Sequence, residues 1–194
     1  MSIPEVRVAK AGERSKMINS LVLGFAIDPI ARWLQPDAST YLAGMGPFFD
    51  AFGGRAFDHG SAFIANDGQA AALWLPPAVE PDEEAMHAAM GDSIDPSRGE
   101  DFGKMMEQVG ECHPDEPHWY LPVIAADPAY IGRGLGGELM KHALRRVDED
   151  GVPAYLESSN PLNISLYERH GFEVMAEITV GASPVMTPMV RAAR

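Results

Sequence analysis

Apolar and polar residues follow one another along this chain in short blocks, and the blocks predict an order of strands and helices. Residues 6–9, Val-Arg-Val-Ala, are typical of a short opening strand. Residues 11–27 carry apolar side chains four positions apart, which is the spacing of an amphipathic helix. Asp28-Pro29 ends this helix, because a proline restricts the residue before it. Residues 30–34 and 41–52 are shorter helical candidates.

The middle of the chain predicts a hairpin and then a helical region. Residues 61–65 and 69–75 flank Asn66-Asp67-Gly68, which is a strong hairpin signal. Residues 80–112 are rich in acids, methionine and helix formers, and we expect one or two helices broken near Asp95-Pro96.

The second half predicts strands that alternate with helices. An apolar strand over residues 118–126 is followed by glycines and by a helix to residue 150, with Leu135, Leu139, Ala143 and Val147 facing the core. A strand at 152–157 and a helix from Asn160-Pro161 follow, since asparagine is a good N-cap and proline fits the first turn. Gly171 ends this helix, and residues 172–180 and 185–190 close the chain as strands. This order predicts one mixed α/β domain over residues 1–194.

Composition limits the function classes. A hydrophobic content of 46% and a charged content of 22% are those of a globular protein, and no apolar run reaches the roughly 20 residues of a membrane span. With a single cysteine, Cys112, and no visible secretory signal, we expect a cytoplasmic protein. The net charge of -13 argues against nucleic-acid and membrane partners and suits a cationic substrate.

The glycine loop is the clearest candidate for chemistry. A strand, a glycine-rich loop and a helix start together cradle phosphates, because backbone N–H groups and the helix dipole face the anion. Gly132, Gly134 and Gly137 also satisfy the dinucleotide pattern GxGxxG, and Glu157 lies about 20 residues further on, where a ribose ligand is expected. Residues 127–130 separate strand and glycines, however, and a hairpin with helices precedes them, which weakens this NAD(P) alternative.

Two segments resemble the GCN5-related N-acetyltransferase (GNAT) superfamily. Residues 131–136, IGRGLG, match its Arg/Gln-x-x-Gly-x-Gly/Ala motif except at the first position, where Ile131 stands. Residues 155–160, Asn163 and residues 167–172 resemble the later motif of the family, and the resemblance is most specific over residues 119–174. The overall sequence also resembles the puromycin-acetyltransferase-like branch of this superfamily.

The resemblance implies a GNAT-like α/β (α+β) fold, with a mixed, mostly antiparallel sheet of about six to seven strands flanked by helices. It further implies direct transfer of acetyl from acetyl-CoA to a primary amine of a small molecule. The CoA contacts that it implies fall in the central strand, the glycine loop, the helix start after this loop and the later asparagine-bearing helix start: Ile124, Ala125, Ala126, Arg133, Gly134, Leu135, Gly136, Gly137, Asn160 and Asn163.

By the same resemblance, Tyr167 is the general acid that protonates the departing thiolate. A phenol suits this role, because its reference pKa of about 10 exceeds the value of about 8.5 for a thiol. Glu157 is the candidate general base, with His118, Tyr120 or a chain of water molecules as alternatives. Asn160 is a helix cap first and a ligand second.

Three further expectations remain open at this point. Residues 112–118 contain potential metal ligands, but their spacing matches no zinc pattern and we expect no metal. A non-catalytic acyl-CoA sensor is a third possible function. A homodimer would cover exposed edge strands by pairing.

Overall fold

The computed structural model describes residues 4–90 and 94–194, apart from the side chain of Pro96. Seven strands occur in these ranges: β1 (Val6–Val8), β2 (Ala62–Ala65), β3 (Ala70–Leu75), β4 (Trp119–Ala126), β5 (Ala154–Ser158), β6 (Glu173–Val174) and β7 (Thr187–Arg191). Seven α-helices accompany them there: α1 (Arg14–Phe25), α2 (Pro29–Leu34), α3 (Ala38–Gly53), α4 (Glu83–Met90), α5 (Pro96–Cys112), α6 (Leu135–Asp150) and α7 (Ile164–Glu168).

The strands form one sheet in the order β1-β2-β3-β4-β5-β7-β6. The neighbours pair antiparallel, except for β4 and β5, which are parallel and are connected through α6. A mostly antiparallel sheet of seven strands confirms the predicted fold class. It also disfavours the dinucleotide alternative, since that fold needs a series of parallel strands.

Strand β4 contains a β-bulge that changes which face its residues occupy. Leu73 of β3 pairs with Val123, and Leu75 pairs with Tyr120, so one residue of β3 opposes two of β4. The two residues of β4 in the bulge are Leu121 and Pro122, and Pro122 has no N–H to donate to a ladder. Strand β4 is the central strand of the sheet. Bulges often occur next to active sites, where they re-aim a side chain.

The sheet separates two apolar cores. Helix α6 covers one face, and the four residues predicted for its apolar side are all buried there. Helices α1 and α3 cover the other face, where Met17, Leu21 and Phe49 pack against alternate residues of β2 and β3. A smaller third cluster joins α2 and α5. The two faces explain why β2 and β3 are apolar throughout rather than alternating.

Helix α1 lies unusually close to the end of β4. A Cβ atom on Gly24 would lie 2.5 Å from the Ala125 Cβ and 2.8 Å from the Ala126 carbonyl oxygen. Only a glycine permits this approach, because backbone as well as side-chain atoms would have to move. Phe25, the next residue, is thereby held beside the central strand.

Several predicted bounds are wrong in detail. The helix predicted for residues 41–52 begins earlier, as α3 over Ala38–Gly53, because Asp37 caps its start, and Pro47 lies within it. The strand predicted for residues 172–180 is shortened to β6 and an isolated bridge at Ile178. The predicted break of the helical region near Asp95-Pro96 is confirmed, since α5 begins at Pro96 with Asp95 as its cap.

Candidate active site

A cleft opens between the two parallel strands in the middle of the sheet. Only Trp119 and Tyr120 of β4 pair with β5, so the remaining length of β4 has no ladder partner on that side. The cleft is lined by residues from α1, both strands and the α7 region: Phe25, Leu121, Pro122, Ile124, Leu156, Glu157, Ser159, Asn163 and Tyr167. Unpaired backbone groups of β4 are thus available to an extended ligand.

Glu157 lies on the β5 side of this cleft. The Tyr120 hydroxyl donates a hydrogen bond of 2.6 Å to its Oε2 atom. Burial raises the pKa of Glu157 to about 7, and the hydrogen bond from Tyr120 offsets part of this rise. A carboxylate with a pKa near 7 can both accept and release a proton at neutral pH, which is what a general base requires.

A group of aromatic rings surrounds the Glu157 carboxylate on one side. The Tyr120 and Tyr155 rings lie 6.0 Å apart, and His113 lies 4.7 Å from Tyr155. Burial raises the pKa of both phenols well above the ordinary value, and the charge of Glu157 adds to the rise. Both tyrosines therefore stay protonated, and the carboxylate has a neutral donor beside it rather than a competing charge.

Tyr167 reaches the cleft from α7. Its ring is buried and packs against Phe172, with 6.3 Å between the ring centroids. Within the described ranges its hydroxyl has no hydrogen-bond partner, although the side chain lines the cleft. Burial raises the pKa of this phenol, so it is a proton donor at neutral pH. The structure therefore leaves the hydroxyl free to act on a ligand.

The glycine loop has the backbone that an anion site needs. Gly132 and Gly134 both have φ near +80°, and Gly134 is the N-cap of α6. A Cβ at either position would meet open space, so the left-handed backbone conformation, not crowding, favours glycine here. The first N–H groups of α6 face outward without helical partners. A Cβ on Gly136 would lie 3.3 Å from Leu166 of α7, so this helix start contacts the helix that carries Tyr167.

Two side chains of the loop are solvent-facing. The Arg133 guanidinium lies over the Tyr130 ring, 5.0 Å from its centroid, and is free to turn toward an anion. Ile131, which stands where the resembled motif has Arg or Gln, is 60% exposed. It supplies no hydrogen bond, so a phosphate held here would depend on the backbone and on Arg133.

The two predicted asparagines have different placements. The Asn160 side chain accepts a hydrogen bond of 3.0 Å from the Leu162 N–H and so caps the short turn before α7, as its cap assignment predicts. Asn163 lies on the wall of the cleft. The three predicted residues of β4 all pair with β3 at the end of the strand, and of the three only Ile124 lines the cleft.

Sequence reasoning missed the cleft residues that come from elsewhere in the chain. Phe25 belongs to α1, and nothing in its helical spacing marks it as a cleft residue. The Ser159 hydroxyl donates a 2.7 Å hydrogen bond to Oδ2 of the buried Asp28, which also caps α2. Burial raises the pKa of Asp28. This bond joins the start of α2 to the loop after β5 and fixes one end of the cleft.

Within residues 4–90 and 94–194, no group of three or more His, Cys, Asp or Glu side chains is arranged to hold a metal ion. His113 and His118, which the sequence places in a potential ligand cluster, instead pack ring against ring with 4.7 Å between centroids. No helix in the same ranges is long and apolar enough to cross a membrane.

Comparison with known sequences gives a family model and several curated relatives. Residues 100–172 match the family model described as Acetyltransferase (GNAT) family. A mycothiol acetyltransferase of Brachybacterium faecium is 44% identical over 55 residues, which are 27% of this chain and 17% of the relative. Another, of Corynebacterium aurimucosum, is 41% identical over 66 residues, 32% of this chain and 21% of the relative. The matches thus span about a fifth of the length of these relatives.

Solved structures share the whole fold. The histone acetyltransferase HPA2 and related acetyltransferase from Corynebacterium glutamicum has a TM-score of 0.70 at 23% identity, covering 100% of this chain and 98% of that one. The polyamine N-acetyltransferase of Drosophila melanogaster, which forms N-acetylagmatine, has a TM-score of 0.68 at 16% identity, covering 98% and 100%. At these identities the likeness establishes a common fold over the full length.

Proposed function

We propose that this chain, whose residues 100–172 match the Acetyltransferase (GNAT) family model, moves an acetyl group from acetyl-CoA directly to the primary amine of a small molecule. One observation carries the proposal: Glu157 and Tyr167 both line the cleft between β4 and β5. A base and an acid that face one ligand are what direct transfer needs, since protons must leave the amine and one must reach the thiolate.

Three proton movements balance the reaction. Glu157 accepts a proton from the ammonium form of the substrate, and the neutral nitrogen attacks the thioester carbonyl. The new C–N bond forms, the nitrogen releases its second proton to solvent, and the C–S bond breaks while Tyr167 donates its proton to the sulfur. The tyrosine then regains a proton from solvent, and Glu157 releases its own, which a pKa of about 7 allows.

The glycine loop and the unpaired edge of β4 would bind the CoA part of the substrate. The N–H groups from Arg133 to Gly137 would hold the pyrophosphate at the start of α6, where the helix dipole favours anions. Unpaired backbone groups of β4 near Ile124 would bind the pantetheine arm. A net charge of -13 does not favour an anionic ligand, so this local arrangement must supply the attraction.

The test is amine-dependent turnover. The purified chain is incubated with acetyl-CoA and a panel of small primary amines, and released thiol is followed together with the mass of the product. We expect thiol release only when an amine is present, with one acetyl group added for each thiol. Acetyl-CoA binding without transfer to any amine would contradict this proposal and favour an acyl-CoA sensor.

A further inference from the structure

A second cavity lies at the opposite end of β4 from the glycine loop. It has a volume of about 280 Å³ and is formed by the segment after β3, residues 76–80, and the segment before β4, residues 113–118. This volume is near the lower limit for ligand sites, so the cavity suits a small molecule. Neither the sequence motifs nor the cleft residues account for it.

The cavity is connected to the proposed base through one side chain. Tyr120 forms part of its wall, and the hydroxyl of the same residue donates to Glu157 in the cleft. The cavity and the cleft therefore meet at the Tyr120–Glu157 hydrogen bond. A ligand in the cavity would approach Glu157 from the side away from α6, so it could react with a thioester in the cleft without displacing the nucleotide.

The chemistry of the wall selects for cations. Three carboxylates, Glu80, Asp115 and Glu116, lie on it, and no lysine or arginine does. In the part of the chain that the structure describes, none of the three is in an ion pair. The nearby Arg55 donates instead to the Glu80 carbonyl oxygen and lies 3.8 Å from Asp82.

The inner wall is aromatic. His113, His118 and Tyr120 line it, with His113 5.8 Å from Tyr120 and 4.7 Å from His118. Behind them lies the fully buried Tyr155, whose ring lies 4.7 Å from His113 and 6.0 Å from His118. Ring faces attract ammonium groups and pack against methylene chains, so this wall suits an aliphatic amine.

We propose that this cavity is the acceptor site and that it takes short aliphatic amines with a second positive charge at the far end. This inference rests on the proposed acetyl transfer. One amine would pass the aromatic wall to reach Glu157, and the second cation would remain at the three carboxylates. An amine of the same length with an uncharged end would lose those contacts. The three carboxylates would therefore determine the selectivity among amines, and Glu157 in the cleft would determine their reactivity.

A matched pair of amines tests the site. 1,4-Diaminobutane carries a second ammonium where 1-aminopentane carries a methyl group. We expect wild-type kcat/KM to favour the diamine, and the triple variant Glu80→Gln, Asp115→Asn, Glu116→Gln to raise KM for the diamine about tenfold, since three exposed charge contacts contribute about this much. KM for 1-aminopentane should remain unchanged, and added salt should reduce the preference.

Two controls separate the possible outcomes. The triple variant Glu107→Gln, Glu149→Gln, Glu173→Gln removes the same charge from exposed positions elsewhere and should leave the preference for the diamine intact.

Calorimetric titration of 1,4-diaminobutane into the CoA-saturated protein measures binding at the acceptor site without turnover. If the diamine does not bind, if 2-phenylethylamine binds more tightly, or if both triple variants behave alike, the inference is wrong even where acetyl transfer is observed. Failure of all amines to react, with the diamine still bound, would contradict the proposed function alone.

Discussion

Replacing Glu157 with glutamine is expected to lower kcat by about a thousandfold, within the range that a positioned general base contributes. Glutamine has nearly the same shape, and its side-chain oxygen can accept the hydrogen bond from the Tyr120 hydroxyl. The packing of the cleft should therefore be preserved. The affinity for CoA should be unchanged, since the carboxylate lies at the reacting end and not at the glycine loop. Steady-state kinetics with acetyl-CoA and a reactive amine measure the effect.

The pH profile makes this prediction sharper. Because Glu157 must be ionised to accept a proton and its pKa is about 7, wild-type kcat/KM should fall as the pH is lowered through 7. The glutamine variant should lose this inflection and keep only the slope that the amine itself causes. Glu173→Gln, on the exposed strand β6, serves as the control. An inflection that persists in the Glu157 variant would assign the base to another group.

Replacing Tyr167 with phenylalanine should lower kcat by about a hundredfold while leaving the affinity for CoA unchanged, since a positioned general acid contributes at least this much. Phenylalanine preserves the packing against Phe172 and removes only the hydroxyl. Because that hydroxyl has no partner within the described residues, its removal should cost little folding stability. Thermal unfolding and single-turnover acetyl transfer, measured on the same preparation, separate the two effects.

The matched control for this variant is Tyr41→Phe. The Tyr41 hydroxyl donates a buried 2.6 Å hydrogen bond to the Val22 carbonyl oxygen, and neither residue lines the cleft. Its loss should reduce the free energy of unfolding by about 1 kcal/mol and leave kcat unchanged. If Tyr167→Phe instead destabilised the fold and kept full turnover, the tyrosine would be a packing residue and the thiolate would be protonated by water.

The features of the site that the sequence predicts are each formed by residues that are close together in the chain. The glycine loop, the start of α6 and the Asn160 cap each depend on a few consecutive residues, and their backbone requirements are visible as glycine, proline and asparagine at fixed positions. The apolar spacing along α6 likewise shows which side faces the sheet. Glu157 is predicted because it ends a strand beside the expected cleft.

The parts that the sequence did not reveal depend on residues distant in the chain. The bulge at Pro122 appears only when β3 and β4 are placed in register. Phe25 enters the cleft because Gly24 lets α1 approach β4, and a helical pattern alone does not indicate that contact. The Tyr120–Glu157 hydrogen bond joins residues 37 positions apart, so it depends on the crossover through α6.

The most direct test of the central claim is a calorimetric comparison of two nucleotide ligands. CoA and NADPH both carry a pyrophosphate, but only CoA has the pantetheine arm that the unpaired edge of β4 would bind. Titration into the purified protein under the same conditions should give saturable one-to-one binding of CoA and none of NADPH. Binding of NADPH without binding of CoA would contradict the account and return the glycine loop to a dinucleotide function.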